Sequence, residues 1–115
     1  MIAFANLAAL CEGYLLACRA GIDPQEFTSA IAETGGMSYQ ATLRLPWIIA
    51  SDFDPRFAVD LARKDLRLGV DLAARWAIPV PIAAAALQEL ALTAAAGYGG
   101  KDAAAMVLAI AAVKQ

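Results

Sequence analysis

The segment FAVDLARKDLRLGVDLAARW, from Phe57 to Trp76, is the most informative part of the sequence, because its apolar and charged side chains repeat with a helical period. At about 100° per residue, large apolar side chains gather on one side of the predicted helix. They are Leu61, Leu68, Leu72 and Trp76. Charged side chains gather on the other side, where opposite charges four residues apart can pair. They are Asp60, Lys64, Arg67, Asp71 and Arg75. We therefore expect an amphipathic helix that turns its leucines toward the core.

Asp65 interrupts the apolar side of this helix, because it projects between Leu61 and Leu72. An ionised carboxylate is costly in such a position unless hydrogen-bond donors meet it, so Asp65 needs a partner. One interpretation is a structural aspartate bonded to the backbone N–H groups or a side chain of a neighbouring element. The other is that Lys64 and Asp65 stand together at the lip of a cleft.

Start and stop signals divide the rest of the chain into further helices. The segment Asp23–Glu26, DPQE, combines an N-cap, a first-turn proline and a capping-box acid. Ser38 can cap another helix and Asp102 the last one. The segment 97–100, GYGG, is a turn that needs a positive φ. Strand-like alternation is absent, so we expect one all-α domain of about six helices over residues 1–115. The predicted helices cover residues 2–19, 24–33, 39–49, 57–76, 82–95 and 103–113.

Alanine raises the hydrophobic share to 61%, above the ~45–50% of an average globular domain. The first helix should be buried on most of its circumference, with some apolar surface left for a partner. No uncharged apolar run reaches the ~18–20 residues of a membrane span. Glu12, with no basic region before it, argues against a secretory signal. We therefore expect a cytoplasmic protein that does not cross a membrane.

The polar residues exclude several classes of function. The net charge is −2 and the basic residues are interleaved with acids, so nucleic-acid binding is not expected. The chain has no histidine, which removes any internal Ser/His or Cys/His catalytic arrangement. Cys11 and Cys18 lie two turns apart on the first helix, too far for a disulfide, and are expected to be free core thiols in a reducing compartment. With no other cysteine, no metal site is expected.

Five pieces of sequence, taken in order, resemble a known family. They are Glu12 followed by AGIDP at 20–24, a double glycine with Ser38, FDPRFAVDLARKDLRLGVDLA at 53–73, IPVPI at 78–82 and GYGGKDAAA at 97–105. Together they resemble the C-terminal domain of the β-hydroxyacid dehydrogenases, which include 3-hydroxyisobutyrate dehydrogenase and tartronate semialdehyde reductase. 6-Phosphogluconate dehydrogenase is a more distant relative. The resemblance covers nearly the whole chain.

The resemblance implies a substrate and dimerisation domain of an enzyme that oxidises a small 3-hydroxy acid with NAD or NADP. In this family the lysine of a Lys-Asp-Leu motif lies near the nicotinamide end of the cofactor, and Lys64 matches it. Phe57 matches an aromatic residue near the substrate pocket, and Asp65 would hold the motif in place. The helical domain of the family also supplies much of the dimer contact, so a homodimer through apolar helices is expected.

The chain departs from the family in what it lacks. It has no G-x-G-x-x-G fingerprint, no strands for a Rossmann domain and no lysine before Lys64. When Glu12 is placed on the family pattern, the catalytic lysine and its asparagine fall upstream of Met1, and Asn6 does not replace that asparagine. The chain resembles a dehydrogenase cut within its interdomain helix. Alone, it should bind dinucleotide poorly, hold no cofactor and catalyse nothing.

Plainer interpretations stand beside each of these assignments. Lys64 can be a solvated lysine paired with Asp60, and Phe57 an ordinary core residue. Ser38 with the double glycine can offer backbone donors to a substrate carboxylate, or can simply cap a helix. For the whole chain, the alternative is a non-catalytic helical dimerisation or interaction module with the same fold.

Overall fold

Six α-helices with short connections make up the structure, a computed structural model that describes residues 1–112. They are α1 (Ile2–Arg19), α2 (Pro24–Ala32), α3 (Tyr39–Ile49), α4 (Val59–Arg75), α5 (Pro81–Thr93) and α6 (Met106–Ala111). A π-turn at Ala94–Tyr98 follows α5, and a 3₁₀ turn at Ala103–Ala105 leads into α6. The predicted positive φ occurs at Gly97, at 96°. No β-strand occurs in residues 1–112, which confirms the all-α class. The predicted helix end at Val113 lies outside the described residues.

The helix starts follow from the predicted capping residues. The Asp23 carboxylate accepts a hydrogen bond from the backbone N–H of Gln25 at 2.8 Å. The Ser38 hydroxyl accepts one from the N–H of Ala41 at 3.2 Å. Asp102 caps the 3₁₀ turn in the same way. These side chains satisfy N–H groups that have no partner inside their own helix, so the local pattern fixes where α2, α3 and the 3₁₀ turn before α6 begin.

The alanine turn at 103–105 and the first two residues of α6 lie in the hydrophobic core. Residues 103–107 are at most 4% exposed. They belong to one cluster with the fully buried side chains of four helices, among them Leu7, Cys11, Leu45, Leu66 and Leu90. Since residues 103–105 are all alanine, the helices around them can approach closely and still leave the interior filled.

α1 is buried on one side only. Its buried residues are Leu7, Ala8, Leu10, Cys11, Tyr14 and Ala17. Ile2 and Leu16 are 77% and 72% exposed. The prediction that most of its circumference would be buried was wrong, because the helices packed on α1 cover only one set of its side chains. By length and composition α1 could also cross a membrane, a criterion that core helices of soluble proteins meet as well.

α4 presents its smaller apolar side chains to the core. The buried ones are Val59, Ala62, Leu66 and Ala73. The side chains predicted to face inward are exposed: Leu61 by 41%, Leu68 by 63%, Leu72 by 45% and Trp76 by 68%. The predicted orientation of this helix was therefore wrong. α4 packs against α5 and the alanine turn at 103–105, where small side chains on both partners permit close approach.

The opposite charges four residues apart on α4 do not pair among the described residues, neither Asp60–Lys64 nor Arg67–Asp71 nor Asp71–Arg75. Asp60 instead pairs with Arg63, at 3.3 Å between Oδ1 and Nη2. Asp71 has no cationic partner within 4.0 Å in residues 1–112. The charges on α4 are solvated, so they contribute little to its stability.

The loop before α6 holds the start of α4. The backbone N–H groups of Val59 and Asp60 donate to the carbonyl oxygens of Lys101 and Gly99, at 2.8 and 3.0 Å. α4 has no side-chain cap, and these carbonyls satisfy its first N–H groups instead. An added Cβ at residue 99 would lie 2.5 Å from a carboxylate oxygen of Asp60, so the exposed Asp60 side chain would have to move to admit a larger residue.

Candidate functional site

α4 carries an exposed face that combines large apolar side chains with charged ones. The set, here called the α4 face, is Leu61, Lys64, Asp65, Leu68, Leu72 and Trp76. The Lys64 and Asp65 side chains are 66% and 47% exposed. Contiguous exposed apolar side chains with a polar rim mark contact sites for ligands or proteins. The α4 face is therefore the strongest candidate for a functional surface on this chain.

Asp65 is not the buried structural carboxylate that the first interpretation required. The side on which it projects faces solvent, so its carboxylate stays hydrated and needs no buried donor. Its ion-pair partner is Lys64, with 3.9 Å between Nζ and Oδ1. The solvated pair of Lys64 with Asp60 is also absent, because Asp60 contacts Arg63. A long contact between exposed neighbours holds the Lys64 ammonium only weakly.

Phe57 lies just before α4, and its ring is half-buried. It packs against the ring of Phe4 on α1, with 5.7 Å between centroids and 36° between planes. Both rings adjoin the hydrophobic core, so Phe57 is at least partly a core residue. Its backbone N–H donates to a carboxylate oxygen of Asp102 at 2.9 Å. The position of this ring is therefore set by α1 and by the loop before α6.

Asp102 is fully buried and collects hydrogen bonds from three parts of the chain. Oδ1 accepts from Arg44 Nε at 3.0 Å and from the N–H of Ala104 at 2.9 Å. Oδ2 accepts from the N–H groups of Arg56 and Phe57. The Arg44 side chain is itself only 7% exposed. A buried carboxylate met by a guanidinium and three N–H groups is compensated, and it joins α3, the start of α4 and the approach to α6.

Sequence reasoning assigned Asp102 only as a helix cap and missed Arg44. The cap is visible in the local sequence, whereas the ion pair joins residues 58 positions apart. One signal was available: Arg44 lies between Leu43 and Leu45 in a predicted helix. A charge among apolar neighbours needs a partner when that part of the helix is buried.

Ser38 lies in a different groove, of about 580 Å³, between α1, α2 and the loop before α3. The Ser38 hydroxyl already accepts the N–H of Ala41. The groove contains neither Phe57 nor Lys64 nor Asp65, so the four predicted site residues do not meet in it. Its other walls include Asn6, Gly13, Phe27, Gly35 and Gly36. Within residues 1–112, no three His, Cys, Asp or Glu side chains come together as metal ligands.

A family model described as "NAD-binding of NADP-dependent 3-hydroxyisobutyrate dehydrogenase" matches residues 1–110. The chain belongs to this family. The resemblance to the β-hydroxyacid dehydrogenases, based on five pieces of sequence, is thereby confirmed.

Three relatives show the range of the matches. The L-threonate dehydrogenase of Cupriavidus necator is 35% identical over 107 residues, which is 93% of this chain and 36% of that protein. The 2-(hydroxymethyl)glutarate dehydrogenase of Eubacterium barkeri is 31% identical, over 89% of this chain and 34% of that protein. The cytokine-like nuclear factor N-PAC of Aedes aegypti is 31% identical, over 92% of this chain and 19% of that protein. This chain spans about a third of the length of the two dehydrogenases.

Solved structures of the same family share the fold. The crystal structure of 3-hydroxyisobutyrate dehydrogenase from Salmonella typhimurium superposes with a TM-score of 0.89 at 34% identity, over 93% of this chain and 38% of that one. The Mycobacterium tuberculosis 3-hydroxyisobutyrate dehydrogenase gives 0.88 at 24% identity, over 97% of this chain and 40% of that one, which supports the fold alone. The helical bundle described here therefore corresponds to one part of a larger family structure.

Proposed function

We propose that this chain is the helical substrate and dimerisation domain of an NAD(P)-dependent dehydrogenase that acts on a small 3-hydroxy acid. Family membership supports the reaction class. The observation that carries the proposal is the α4 face, where Lys64 and Asp65 stand exposed among large apolar side chains. Because that side of α4 is open to solvent, the interpretation of Lys64 and Asp65 as the lip of a cleft gains over the structural one.

The residues of the α4 face fit the nicotinamide end of a dinucleotide. The Lys64 ammonium is exposed and only weakly engaged, so it can contact a polar or anionic group of the cofactor. Leu61 and Leu68 offer apolar surface on either side of it. NAD or NADP, when bound, would accept the hydride that leaves the carbon of the CH–OH group. The task of this chain is to hold and orient that end of the cofactor.

Phe57 and Asp65 are assigned to the substrate side of the same cleft. The half-buried Phe57 ring supplies a fixed apolar wall, because Phe4 and Asp102 hold it in place. Asp65 orients the neighbouring Lys64 ammonium through their contact. For Ser38 the geometry favours the helix cap over a substrate contact, since its hydroxyl is already engaged and its groove excludes Phe57.

The catalytic lysine and the Rossmann dinucleotide-binding domain are proposed to be supplied outside these 115 residues. Relatives named as dehydrogenases are more than twice as long as this chain. No lysine precedes Lys64. The chain by itself would then offer one wall of the cofactor site and no general base for the hydroxyl proton. It should be inactive until the other part is present.

A homodimer through apolar helices and a cytoplasmic location complete the proposal. Large apolar side chains on the outer sides of α1 and α5 support self-association. They are Ile2, Leu16, Ile82 and Leu92, each more than half exposed. The two free thiols, Cys11 and Cys18, support a reducing compartment.

A second candidate function is a non-catalytic interaction module with the same fold. The observation that favours it is the relative named as a nuclear factor, which shares 31% identity over 92% of this chain. In that case the α4 face would dock a protein surface, and Lys64 would be a rim charge of the interface.

The deciding experiment is an NADH fluorescence titration of this chain alone, and then mixed with a separately expressed dinucleotide-binding part of a relative that carries the upstream lysine. We expect little binding by this chain alone, and binding together with oxidation of 3-hydroxy acids by the mixture. Loss of one charge-assisted contact in Lys64→Ala should weaken NADH binding by the mixture about tenfold or more. Lys101→Ala is the matched control, since Lys101 is an exposed lysine outside the α4 face.

The outcomes separate the two functions. If the parts associate but Lys64→Ala and Lys101→Ala bind NADH equally well, the cofactor role of Lys64 is wrong. If the mixture neither binds NADH nor turns over while this chain forms a stable dimer, the interaction module is the better description.

A further inference from the structure

Two carboxyl groups face one groove between α1 and α5, and no cation of residues 1–112 pairs with either of them. The groove has a volume of about 330 Å³, and Glu12 of α1 and Glu89 of α5 both line it. Its other walls are alanine, proline and isoleucine: Ala5, Ala8, Ala9, Pro81, Ile82, Ala85 and Ala86. Two ionised carboxylates in such surroundings repel each other, and no basic side chain of the groove offsets the repulsion.

Glu89 is the more enclosed of the two. Its Oε2 atom is buried and has no hydrogen-bond partner among the described residues. Burial, followed by the adjacent Glu12 carboxyl, raises the pKa of Glu89 from its ordinary value of 4.5 to about 7. An ionised oxygen without a donor is costly, whereas a protonated carboxyl beside a carboxylate is tolerated.

Other titratable groups near Glu89 do not change this balance. Cys11, on the same helix as Glu12, stays neutral because burial raises the pKa of its thiol to about 12. The positive charge of Arg44, on α3, opposes the rise in the pKa of the Cys11 thiol, but the Arg44 guanidinium is already paired with Asp102. α6 presents Ala109 and Ile110 to the other side of Glu89, and the charged side chains of α4 are all exposed.

We propose that Glu12 and Glu89 share one proton and act as a pH-sensitive contact that keeps α1 and α5 together when protonated and loosens them when both carboxyls are ionised. The proton is exchanged with solvent through the groove that both side chains line. The inference does not depend on the proposed dehydrogenase function, because it concerns only contacts within this chain.

The direction of the pH dependence follows from the two states of Glu89. In the unfolded chain Glu89 releases its proton near pH 4.5, and in the folded chain near pH 7. Between these values the folded state binds more protons, so raising the pH lowers the stability. The contribution of protonated Glu89 to the stability of the fold is fully present below pH 4.5. It is lost as the pH rises above about 7.

The first test compares thermal melts of the wild-type chain, Glu89→Gln and Glu12→Gln at about pH 5 and about pH 8. The wild type should lose several degrees of melting temperature between the two, and each variant should lose clearly less, since one carboxyl can no longer ionise. Glu33→Gln is the matched control, because Glu33 is an exposed glutamate outside the groove. It should keep the full pH dependence.

The second test measures how readily α1 separates from the core that it forms with α5 and α6. Cys11 is fully buried next to Glu12, so a thiol reagent reaches it only when the helices separate. In a Cys18→Ser background, the modification rate of Cys11 is measured with Glu89 present and with Glu89→Gln. The ratio of the first rate to the second should be near one at about pH 5. It should rise several-fold at about pH 8, and using the ratio cancels the pH dependence of the thiol chemistry.

Equal pH dependence of melting in the wild type and both variants, or a rate ratio that stays constant with pH, would overturn the proposal. If Glu89→Gln fails to fold, Glu12→Gln serves both tests, since removing either carboxyl removes the repulsion.

Discussion

At the scale of single residues, the buried pair of Asp102 and Arg44 is the most consequential feature of the molecule. Asp102→Ala would leave the Arg44 guanidinium buried without its anion and three N–H groups without their acceptor. Removing one partner of a buried ion pair costs about 3–5 kcal/mol. We expect a loss of that order in the free energy of unfolding, measured by urea denaturation.

An exposed ion pair provides the control. Asp52 and Arg56 pair at the surface, where their contact lowers the pKa of the Asp52 carboxyl. Asp52→Ala should therefore shift the urea midpoint far less than Asp102→Ala. Comparable shifts would mean that the buried pair is not the anchor. The cap at Asp102 could be predicted from sequence, because capping is local. Its pairing with Arg44 could not, because helix packing alone brings those residues together.

At the scale of elements, α4 shows that an apolar pattern does not say which apolar side is buried. Leu66 is 1% exposed and Leu68 is 63% exposed, on the same helix and two residues apart. Leu66→Ala should cost about 2–5 kcal/mol, as for a core leucine. Leu68→Ala should change the stability by no more than about 0.5 kcal/mol. Equal losses in urea denaturation would show that the α4 face is buried after all.

The helices themselves were predictable, and the orientation of α4 was not, for a physical reason. Helix starts depend on residues such as Asp23 and Ser38, whose hydrogen bonds stay within four positions. The summed hydrophobicity of the four large side chains of the α4 face exceeds that of the alanines on the buried side, so the sequence pattern favours burying the wrong side. The core selects the side of Val59, Ala62, Leu66 and Ala73, because α5 and residues 103–105 are alanine-rich and approach closely where α4 offers small side chains.

The C-terminus of α4 carries a strained residue that offers a stabilising change. Ala77 has a φ of 54°, and the N–H of Ile78 donates to the carbonyl of Ala73, as in a Schellman motif. α1 ends with the same bonds around Gly21. A non-glycine residue in the left-handed region costs about 1–2 kcal/mol, partly offset by the flexibility of glycine when unfolded. Ala77→Gly should therefore raise the thermal midpoint, whereas Ala74→Gly, inside the helix, should lower it.

At the scale of the whole molecule, two apolar surfaces remain uncovered among the described residues. One is the α4 face. The other, on α1 and α5, is here called the α1–α5 surface and consists of Ile2, Leu16, Ile82 and Leu92. Our proposals give them different partners, the cofactor-binding part of the enzyme for the first and a second copy of this chain for the second. Substitutions on one surface should then leave the other interaction intact.

The α1–α5 surface yields a prediction that separates these roles. Leu16→Gln combined with Leu92→Gln replaces exposed apolar side chains with neutral polar ones, so it should convert a dimer to a monomer with little change in melting temperature. Leu68→Glu, on the α4 face, should leave the dimer intact and abolish association with the dinucleotide-binding part. Sedimentation at a fixed pH below 7, where the Glu12–Glu89 pair keeps its proton, measures both. If Leu68→Glu yields the monomer and the double variant stays dimeric, the two surfaces have exchanged roles, because the self-association energy then resides in α4 rather than in α1 and α5.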